Sequence, residues 1–338
     1  MRNLPKRIAT LSPDKRQLLE RMLKKEGLSI SPEEPVTGAE EPSFNHLEAV
    51  SGTVDDFLNR LNAQTQQADE EYTGEVESSL TGEIKAMTRK GYNAANDQLN
   101  SAFGSKYSIF LNLGYISDES RDYSGIQLPA QMLNRSSVKL VLELVGDFDI
   151  TGCEVLDVGC GRGGTIHTIN QYFEVKSLTG IDLSGSAISF CGKTHASDRM
   201  RFLEGDAERL PFDSGSFDVV TNVESSHNYP NLFNFYRGVI RVLKKGGYFL
   251  YTDIMPTKFL SRRLDFFREI GFSIERNRDI TNNVLLSCDE SANRHLRAFN
   301  VDQGDSVIHN FLSSPSSDTY KDMKIGKLTY RIMRLKKA

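Results

Sequence analysis

Apolar and polar positions alternate in a regular way after Asp149. Short apolar runs, each the length of a strand, are "CEVLDVG", "SLTGIDL", "MRFLEGD", "FDVVTNV" and "GGYFLYTDI". The segments between them, such as "TIHTINQYF", "SAISFCGKT" and "LFNFYRGVIRVL", have the spacing of helices. Strand and helix in strict alternation require parallel strands joined by right-handed crossovers. We therefore predict a doubly wound α/β fold for residues 149–338.

Residues 51–148 have a different pattern: helical spacing and little β-branched content run from Val54 to about Gly104, and "FLNLGYISDES" is typical of a loop. We predict that this region is helical and that it forms a lid over the open strand ends of the sheet. Its last helix is expected within "LPAQMLNRSSVKLVLELV". The apolar side of that helix is predicted to consist of Leu133, Val138, Leu140, Val141, Leu144 and Val145.

The first 50 residues are predicted to form a separate linker region. "LSPDKRQLLERMLKKEGL" is typical of a short amphipathic helix, with Ser12 as N-cap, Pro13 at the first helical position and Gly27 as the stop. "SISPEEPVTGAEEPSF" follows, and its prolines, acidic residues and lack of large apolar side chains indicate a flexible linker. A domain boundary is therefore expected near residue 50.

Composition narrows the possible functions. The 338 residues carry 41 Lys and Arg against 45 Asp and Glu, a net charge of −4, which argues against a broad nucleic-acid or anionic-membrane surface. The four cysteines form no CxxC pair, and the six histidines lack metal-ligand spacing. No apolar run approaches the roughly 18 residues of a membrane span, and the N-terminus lacks the apolar core of a signal peptide. We expect a cytoplasmic protein without a metal.

A glycine-rich turn follows the first predicted strand of the α/β region. In "VLDVGCGRGG", Gly159, Gly161 and Gly164 match G-x-G-x-x-G, a pattern that on its own also suits a dinucleotide. Glycines there let backbone N–H groups approach a ligand closely. Asp157 precedes the turn, and its carboxylate would repel a pyrophosphate but suits a cationic amino-acid ligand. A sulfonium cofactor therefore fits this turn better than NAD.

Two further acidic residues follow predicted strands. Asp182 ends "TGIDLS" about 20 residues beyond the glycines, where an acid can accept both ribose hydroxyls, although NAD would require the same. Asp206 begins "DAERLPF" and can accept from an adenine amino group, while Ala207 donates its backbone N–H. Both residues argue for an adenosine-containing cofactor.

Taken together, these motifs resemble the class I S-adenosylmethionine-dependent methyltransferases. The resemblance runs from about Cys153 to Asp253 and rests on "VLDVGCGRGG", "GIDLS", "GDAERLPFDSGSFDVV" and "RVLKKGGYFLYTD". It implies a Rossmann-like sheet of seven mostly parallel strands, with "LTYRIMRLKK" as an antiparallel last strand, and S-adenosyl-L-methionine as cofactor. The cofactor-binding residues that it implies are Asp157, Gly159, Gly161, Asp182, Leu183, Asp206, Ala207 and Asn222.

A narrower resemblance is found in "NVESSHNYP", "DITNNVL" and "GKLTYRIMRLKK". These segments are similar to a branch that includes sterol-type and phthiotriol-type methyltransferases and the O-methyltransferase domains of polyketide synthases. The N-terminal helix is similar to linker helices of such assembly lines. The resemblance implies O-methylation of a β-hydroxyl on an acyl-carrier-protein-bound polyketide, with neighbouring synthase domains as partners. The alternatives are a methyltransferase for a free lipid or small molecule, and a non-catalytic scaffold.

The polar turn "NVESSHNYP" is the predicted catalytic edge. His227 has the pKa range of a general base, and Glu224 lies three residues earlier, close enough to orient the imidazole if a helix starts here. Without that role, His227 is an exposed loop histidine and Glu224 a helix-start acid. Tyr229, Thr281 and Asn283 are the candidate substrate-pocket residues, and the last two also suit ordinary turns.

Overall fold

The computed structural model describes residues 78–101, 109–117, 125–132, 134–195, 197–299 and 317–338. Seven strands form one sheet: β1 Glu154–Val158, β2 Ser177–Asp182, β3 Met200–Glu204, β4 Phe217–Val223, β5 Leu243–Pro256, β6 Phe272–Asp279 and β7 Leu328–Lys337. Their order is β3-β2-β1-β4-β5-β7-β6. Only β7 pairs antiparallel, with β5 on one side and β6 on the other. The predicted seven-stranded, mostly parallel sheet with an antiparallel last strand is confirmed.

Helices cover both faces of this sheet. Within the described ranges they are α1 Ser78–Ser101, α2 Arg135–Val145, α3 Gly164–Tyr172, α4 Gly185–Thr194, α5 Leu232–Val242, α6 Leu260–Glu269, α7 Thr281–Phe299 and α8 Asp318–Lys324. Side chains alternate between the faces along each strand, so Val155 packs in one core cluster and Leu156 in the other. The two-sided core explains why the central strands read as continuous apolar runs.

The N-terminal helical prediction is confirmed for part of the described residues. α1 is helical throughout, and α2 buries Val138, Leu140 and Val141 as expected. However, α2 begins at Arg135, because Asn134 adopts a left-handed conformation with φ 58°. Residues 125–132 are not helical, and Leu133 lies outside the described residues.

Other predictions concern residues that the structure does not describe. The linker helix and the flexible segment of residues 1–50 lie outside the described residues, and so do residues 51–77. The division into linker, lid and core therefore stays a prediction. No helix within the described ranges is both long and apolar enough to cross a membrane.

The parallel strands bring distant parts of the chain to one edge of the sheet. β1, β2 and β4 all end there, and β4 is in register with β5 so that Val223 lies opposite Thr252. The turns that follow these strands carry most of the candidate residues. The site is therefore assembled at the carboxyl edge, where open α/β sheets bind their ligands.

Candidate active site

The glycine turn after β1 is packed directly against the polar turn after β4. Gly159 has φ +71°, and a Cβ atom there would overlap the side chains of Ser225 and Tyr229. Gly161 has φ +50°, a conformation that L side chains rarely adopt. Only glycine therefore fits this turn at residue 159, and the two predicted parts of the site lie side by side.

Two buried oxygen atoms beside this turn have no hydrogen-bond partner among the described residues: Oδ2 of Asp157 and Oδ1 of Asn222. The other oxygen of Asp157 accepts from the Thr221 hydroxyl at 2.7 Å, and the Asn222 amide donates to the carbonyl of Val158 at 2.8 Å. Burial raises the pKa of Asp157 to about 7; the Thr221 bond opposes this shift and the charge of Asp182 adds to it. Buried acceptors without donors are costly unless a ligand supplies the donors. The amino group of a cationic amino-acid ligand fits this pair.

Asp182 is held rigidly at the end of β2. Its Oδ2 accepts from the N–H of Gly161 and its Oδ1 from the N–H of Ser184, both at 2.8 Å. Burial raises the pKa of Asp182, and these backbone bonds oppose the shift. Each carboxylate oxygen can accept a second hydrogen bond, so two ribose hydroxyls fit. Leu183 follows and is half-buried.

Asp206 has a partner that the sequence analysis missed. Its Oδ1 accepts from the N–H of Glu208 at 2.9 Å, while Nζ of Lys85 in α1 lies 2.7 Å from Oδ2 and 2.7 Å from the Glu208 carboxylate. Ala207 is the first residue of the short 3₁₀ helix Ala207–Arg209, which contains Glu208. Lys85 lies 121 residues before Asp206 in the sequence. No local sequence pattern therefore predicts this contact.

The helix α1 also contacts the other two cofactor turns. Oδ1 of Asn93 accepts from the Ser184 hydroxyl at 2.7 Å, and Oδ1 of Asn100 accepts from the Arg162 guanidinium at 2.7 Å. With Lys85, α1 thus bonds to the turns after β1, β2 and β3. The predicted lid role stays a prediction, but α1 lies where such a lid is needed.

His227 is paired with a buried carboxylate. Its Nδ1 lies 2.7 Å from Oδ1 of Asp253, and its backbone N–H donates to Oδ2 at 3.0 Å. The amide of Asn228 donates to Nε2 at 2.8 Å, so Nδ1 carries the proton in the neutral ring. The imidazole is 36% exposed, whereas Asp253 is fully buried. Burial lowers the pKa of His227, but the charge and hydrogen bond of Asp253, together with the charge of Glu224, raise it above its ordinary value.

The predicted pairing of Glu224 with His227 is wrong. The Glu224 carboxylate accepts from the N–H of Leu113 at 2.8 Å and from the Tyr330 hydroxyl at 2.6 Å. Burial raises its pKa to about 7, against those two bonds. Glu224 has φ 50°, so the chain turns before the helical turn at Ser226 and the three-residue spacing does not bring the side chains together. Asp253, an acid at the end of the apolar run "YFLYT", was the signal that sequence reasoning did not use.

The three candidate pocket residues all bind parts of the protein itself. The Tyr229 hydroxyl lies 2.9 Å from the Ser225 hydroxyl and 3.3 Å from the Asn222 amide, beside the glycine turn. Thr281 donates to Asp279 at 2.6 Å at the start of α7. The Asn283 amide donates to the carbonyl of residue 116 at 2.8 Å. Their roles toward a substrate stay predictions.

Comparison with known proteins identifies the family of this chain. The family described as "Methyltransferase domain" matches residues 156–251. A fatty-acid O-methyltransferase of Mycolicibacterium smegmatis is 44% identical over 149 residues, which are 44% of this chain and 53% of that protein. The chain thus matches about half the length of that relative.

A second relative matches over most of its length. A phthiotriol/phenolphthiotriol dimycocerosates methyltransferase of Mycobacterium tuberculosis is 32% identical over 255 residues, 69% of this chain and 87% of that protein. The crystal structure of the [4+2]-cyclase SpnF is similar in fold, with a TM-score of 0.56, 19% identity, and coverage of 75% of this chain and 96% of that one. The sequence relatives, the fold and the free acceptor oxygen atoms of Asp157 and Asn222 all indicate the same family. The chain belongs to the class I S-adenosylmethionine-dependent methyltransferases.

Proposed function

We propose that this protein methylates a hydroxyl oxygen on a lipid-like acyl chain. The observation that carries the proposal is the hydrogen bond between His227 and the buried Asp253, beside the cofactor turns. The bound cofactor supplies an activated methyl group. The protein must therefore align the acceptor oxygen and remove its proton.

An aliphatic hydroxyl requires a base. Its acidity is close to that of water, with a pKa of about 15.7, so no side chain ionises it fully in advance. Asp253 holds the Nδ1 proton of His227, and Nε2 is left to take the proton of the acceptor. The Asn228 amide now donates to Nε2 and would give way to the substrate hydroxyl. Asp253 would then stabilise the imidazolium that forms.

The cofactor assignment uses the residues already described. Asp157 and Asn222 would hold the amino group, because their free oxygen atoms are buried acceptors. Asp182 would accept from the ribose hydroxyls. Asp206 and Ala207 would bind the adenine, with Lys85 keeping α1 beside them.

The acceptor class is supported by the relatives. Their names refer to a fatty acid and to phthiotriol or phenolphthiotriol dimycocerosates. The finer proposal is a β-hydroxyacyl chain bound to an acyl carrier protein, which the resemblance of the N-terminal segment to assembly-line linkers supports. A free hydroxy lipid is the second candidate.

The decisive experiment compares matched substrates. The same β-hydroxyacyl chain is offered on an acyl carrier protein, as a free thioester and as a free acid, and the corresponding deoxyacyl chain serves as the control. Mass spectrometry and NMR then detect a new methoxy group and its position. We expect methylation of the hydroxyl and none of the deoxyacyl control. Equal methylation of the deoxyacyl chain would refute the hydroxyl as acceptor, and preference for the free acid would select the free lipid.

A further inference from the structure

We propose that three buried hydroxyl groups, those of Ser226, Tyr251 and Tyr236, form a hydrogen-bond chain that positions Asp253 and moderates the basicity of His227. Ser226 and both tyrosines would thus be positioning residues for proton removal. The inference rests on the proposed function, in which His227 takes the proton of the acceptor.

The chain is continuous and buried. The Ser226 hydroxyl contacts Oδ2 of Asp253, and it lies 2.8 Å from the hydroxyl of Tyr251. The Tyr251 hydroxyl lies 3.1 Å from that of Tyr236. All four side chains are buried. They come from the turn after β4, from β5 and from α5, so tertiary packing fixes their positions.

The carboxylate sets the direction of every proton in the chain. An ionised Asp253 can only accept, so Ser226 donates to it. The oxygen of Ser226 then accepts from Tyr251, and the oxygen of Tyr251 accepts from Tyr236. Burial raises the pKa of Tyr251 well above its ordinary value, so this phenol keeps the proton that it donates.

Asp253 receives four donors in this arrangement. Oδ1 is bonded to Nδ1 of His227 and to the N–H of Ile254 at 2.8 Å, and Oδ2 to the N–H of His227 and to Ser226. Both oxygen atoms are thereby fixed, and Oδ1 faces the imidazole. Because the hydroxyl directs the positive end of its dipole at the carboxylate, it weakens the hold of Asp253 on an imidazolium. Linked hydroxyl groups polarise one another, so Tyr251 and Tyr236 strengthen this effect.

Other charged and titratable groups surround the pair. Glu224 raises the pKa of His227 and Arg263 in α6 lowers it. The charge of Asp253 also reaches the phenols of Tyr92, Tyr229 and Tyr330. None of these residues is altered in the variants below, so differences among the variants report on the hydroxyl chain.

The test measures the pKa of His227 by NMR in the full chain, with ¹⁵N-labelled histidine and without substrate. The variants are Ser226→Ala, Tyr251→Phe and Tyr236→Phe. Thr252→Val is the matched control, because the Thr252 hydroxyl is also buried next to Asp253 but has no partner among the described residues. A His227→Ala sample identifies the resonance.

We expect the pKa of His227 to rise by about half a unit in Ser226→Ala, less in Tyr251→Phe and least in Tyr236→Phe. Thr252→Val should leave it unchanged. The acid limb of kcat/KM against pH should move to higher pH in the same order. A purely structural role would lower stability without this graded shift.

Two results would overturn the inference: an unchanged pKa in all three chain variants, or an equal rise in Thr252→Val. If Ser226→Ala does not fold, the two tyrosine variants decide, since each leaves the direct hydrogen bond of Ser226 to Asp253 in place. The NMR measurement needs no substrate, so it is independent of the proposed function. That function fails if His227→Ala keeps its activity, whatever the order of the pKa values.

Discussion

At the scale of single residues, the two nitrogen atoms of His227 have different tasks, and this makes a sharp prediction. Asp253 occupies Nδ1, so Nε2 is the nitrogen that we propose as the proton acceptor. General-base catalysis contributes about 10²- to 10⁴-fold, so His227→Ala should reduce the rate of methyl transfer by that order. The affinity for S-adenosylmethionine, measured by calorimetry, should stay nearly unchanged. A rate above about a tenth of wild type, with chemistry limiting, would contradict the base assignment.

The two neighbouring carboxylates provide controls for His227. Asp253→Asn should cost nearly as much as His227→Ala, because an amide at residue 253 can favour the wrong tautomer of the ring. Glu224→Gln should keep a larger share of activity, since Glu224 binds Leu113 and Tyr330 rather than the imidazole. Equal losses in both variants would show that Glu224 acts on the proton as well.

Asp157 makes cofactor binding depend on pH. Burial raises its pKa to about 7, so the cofactor-free carboxyl is mostly protonated at pH 6. A cationic amino group needs the ionised form, and binding near neutral pH should therefore release a proton. We expect affinity to rise from pH 6 to 8 by up to about tenfold per unit, as measured by calorimetry in two buffers. Asp157→Asn should remove the dependence, whereas Glu224→Gln should retain it.

The residue roles show where sequence reasoning ends. Asp182 and Asp206 lie at strand ends in the predicted order, because Asp182 is the last residue of β2 and Asp206 follows the end of β3 by two residues. Asp253 became the partner of His227 only through the register of β4 and β5, which sets Val223 opposite Thr252. Glu224 and His227 were expected to meet if a helix started at this turn, but Glu224 has a left-handed conformation. Neither fact is visible in local sequence.

At the scale of elements, α1 is rich in polar residues. Its side chains Lys85, Asn93 and Asn100 make polar contacts with the turns after β3, β2 and β1. Strands and core helices were predictable since their burial leaves an apolar pattern. The start of α2 was not, because a single left-handed residue, Asn134, delays the helix.

Lys85 should determine how long the cofactor stays bound. It lies 2.7 Å from both Asp206 and Glu208 and is 22% exposed, so its ion pairs are better shielded than surface pairs. Lys85→Met should loosen α1 and speed cofactor dissociation about tenfold in a stopped-flow chase. Protease protection by the cofactor across 78–101 should weaken in parallel.

A matched control lies on the same helix. Arg89 pairs with Glu204 at 3.6 Å with both side chains about half exposed, 49% and 48%, so Arg89→Met should leave dissociation unchanged. Tighter cofactor binding in Lys85→Met would reverse the assignment. Lys85 would then compete with the adenine for Asp206 instead of fastening the helix.

At the scale of the whole molecule, the proposed cofactor-binding and catalytic residues all come from residues 78–338. The strand order places β1 and β4 side by side although α3, β2, α4 and β3 separate them in sequence. This order was predictable only through the family resemblance, because alternation of strands and helices fixes parallel pairing but not which strands are neighbours. The first 50 residues contribute none of the assigned groups.

Deleting residues 1–50 should therefore separate the two candidate acceptors. The prolines and acidic residues of 29–44 indicate a linker, and a domain boundary is predicted near residue 50. The shortened protein should keep its cofactor affinity and its kcat/KM for a free β-hydroxyacyl thioester.

If residues 1–50 tether the enzyme to an assembly line, their deletion should lower kcat/KM for a carrier protein on the neighbouring module at least about tenfold. The reason is that the tether raises the effective concentration of the carrier protein. A full chain with 29–44 replaced by Gly and Ser of equal length should keep most of that rate. Equal rates for all three proteins would favour the free lipid, and a loss of cofactor affinity on deletion would show that the predicted boundary near residue 50 is wrong.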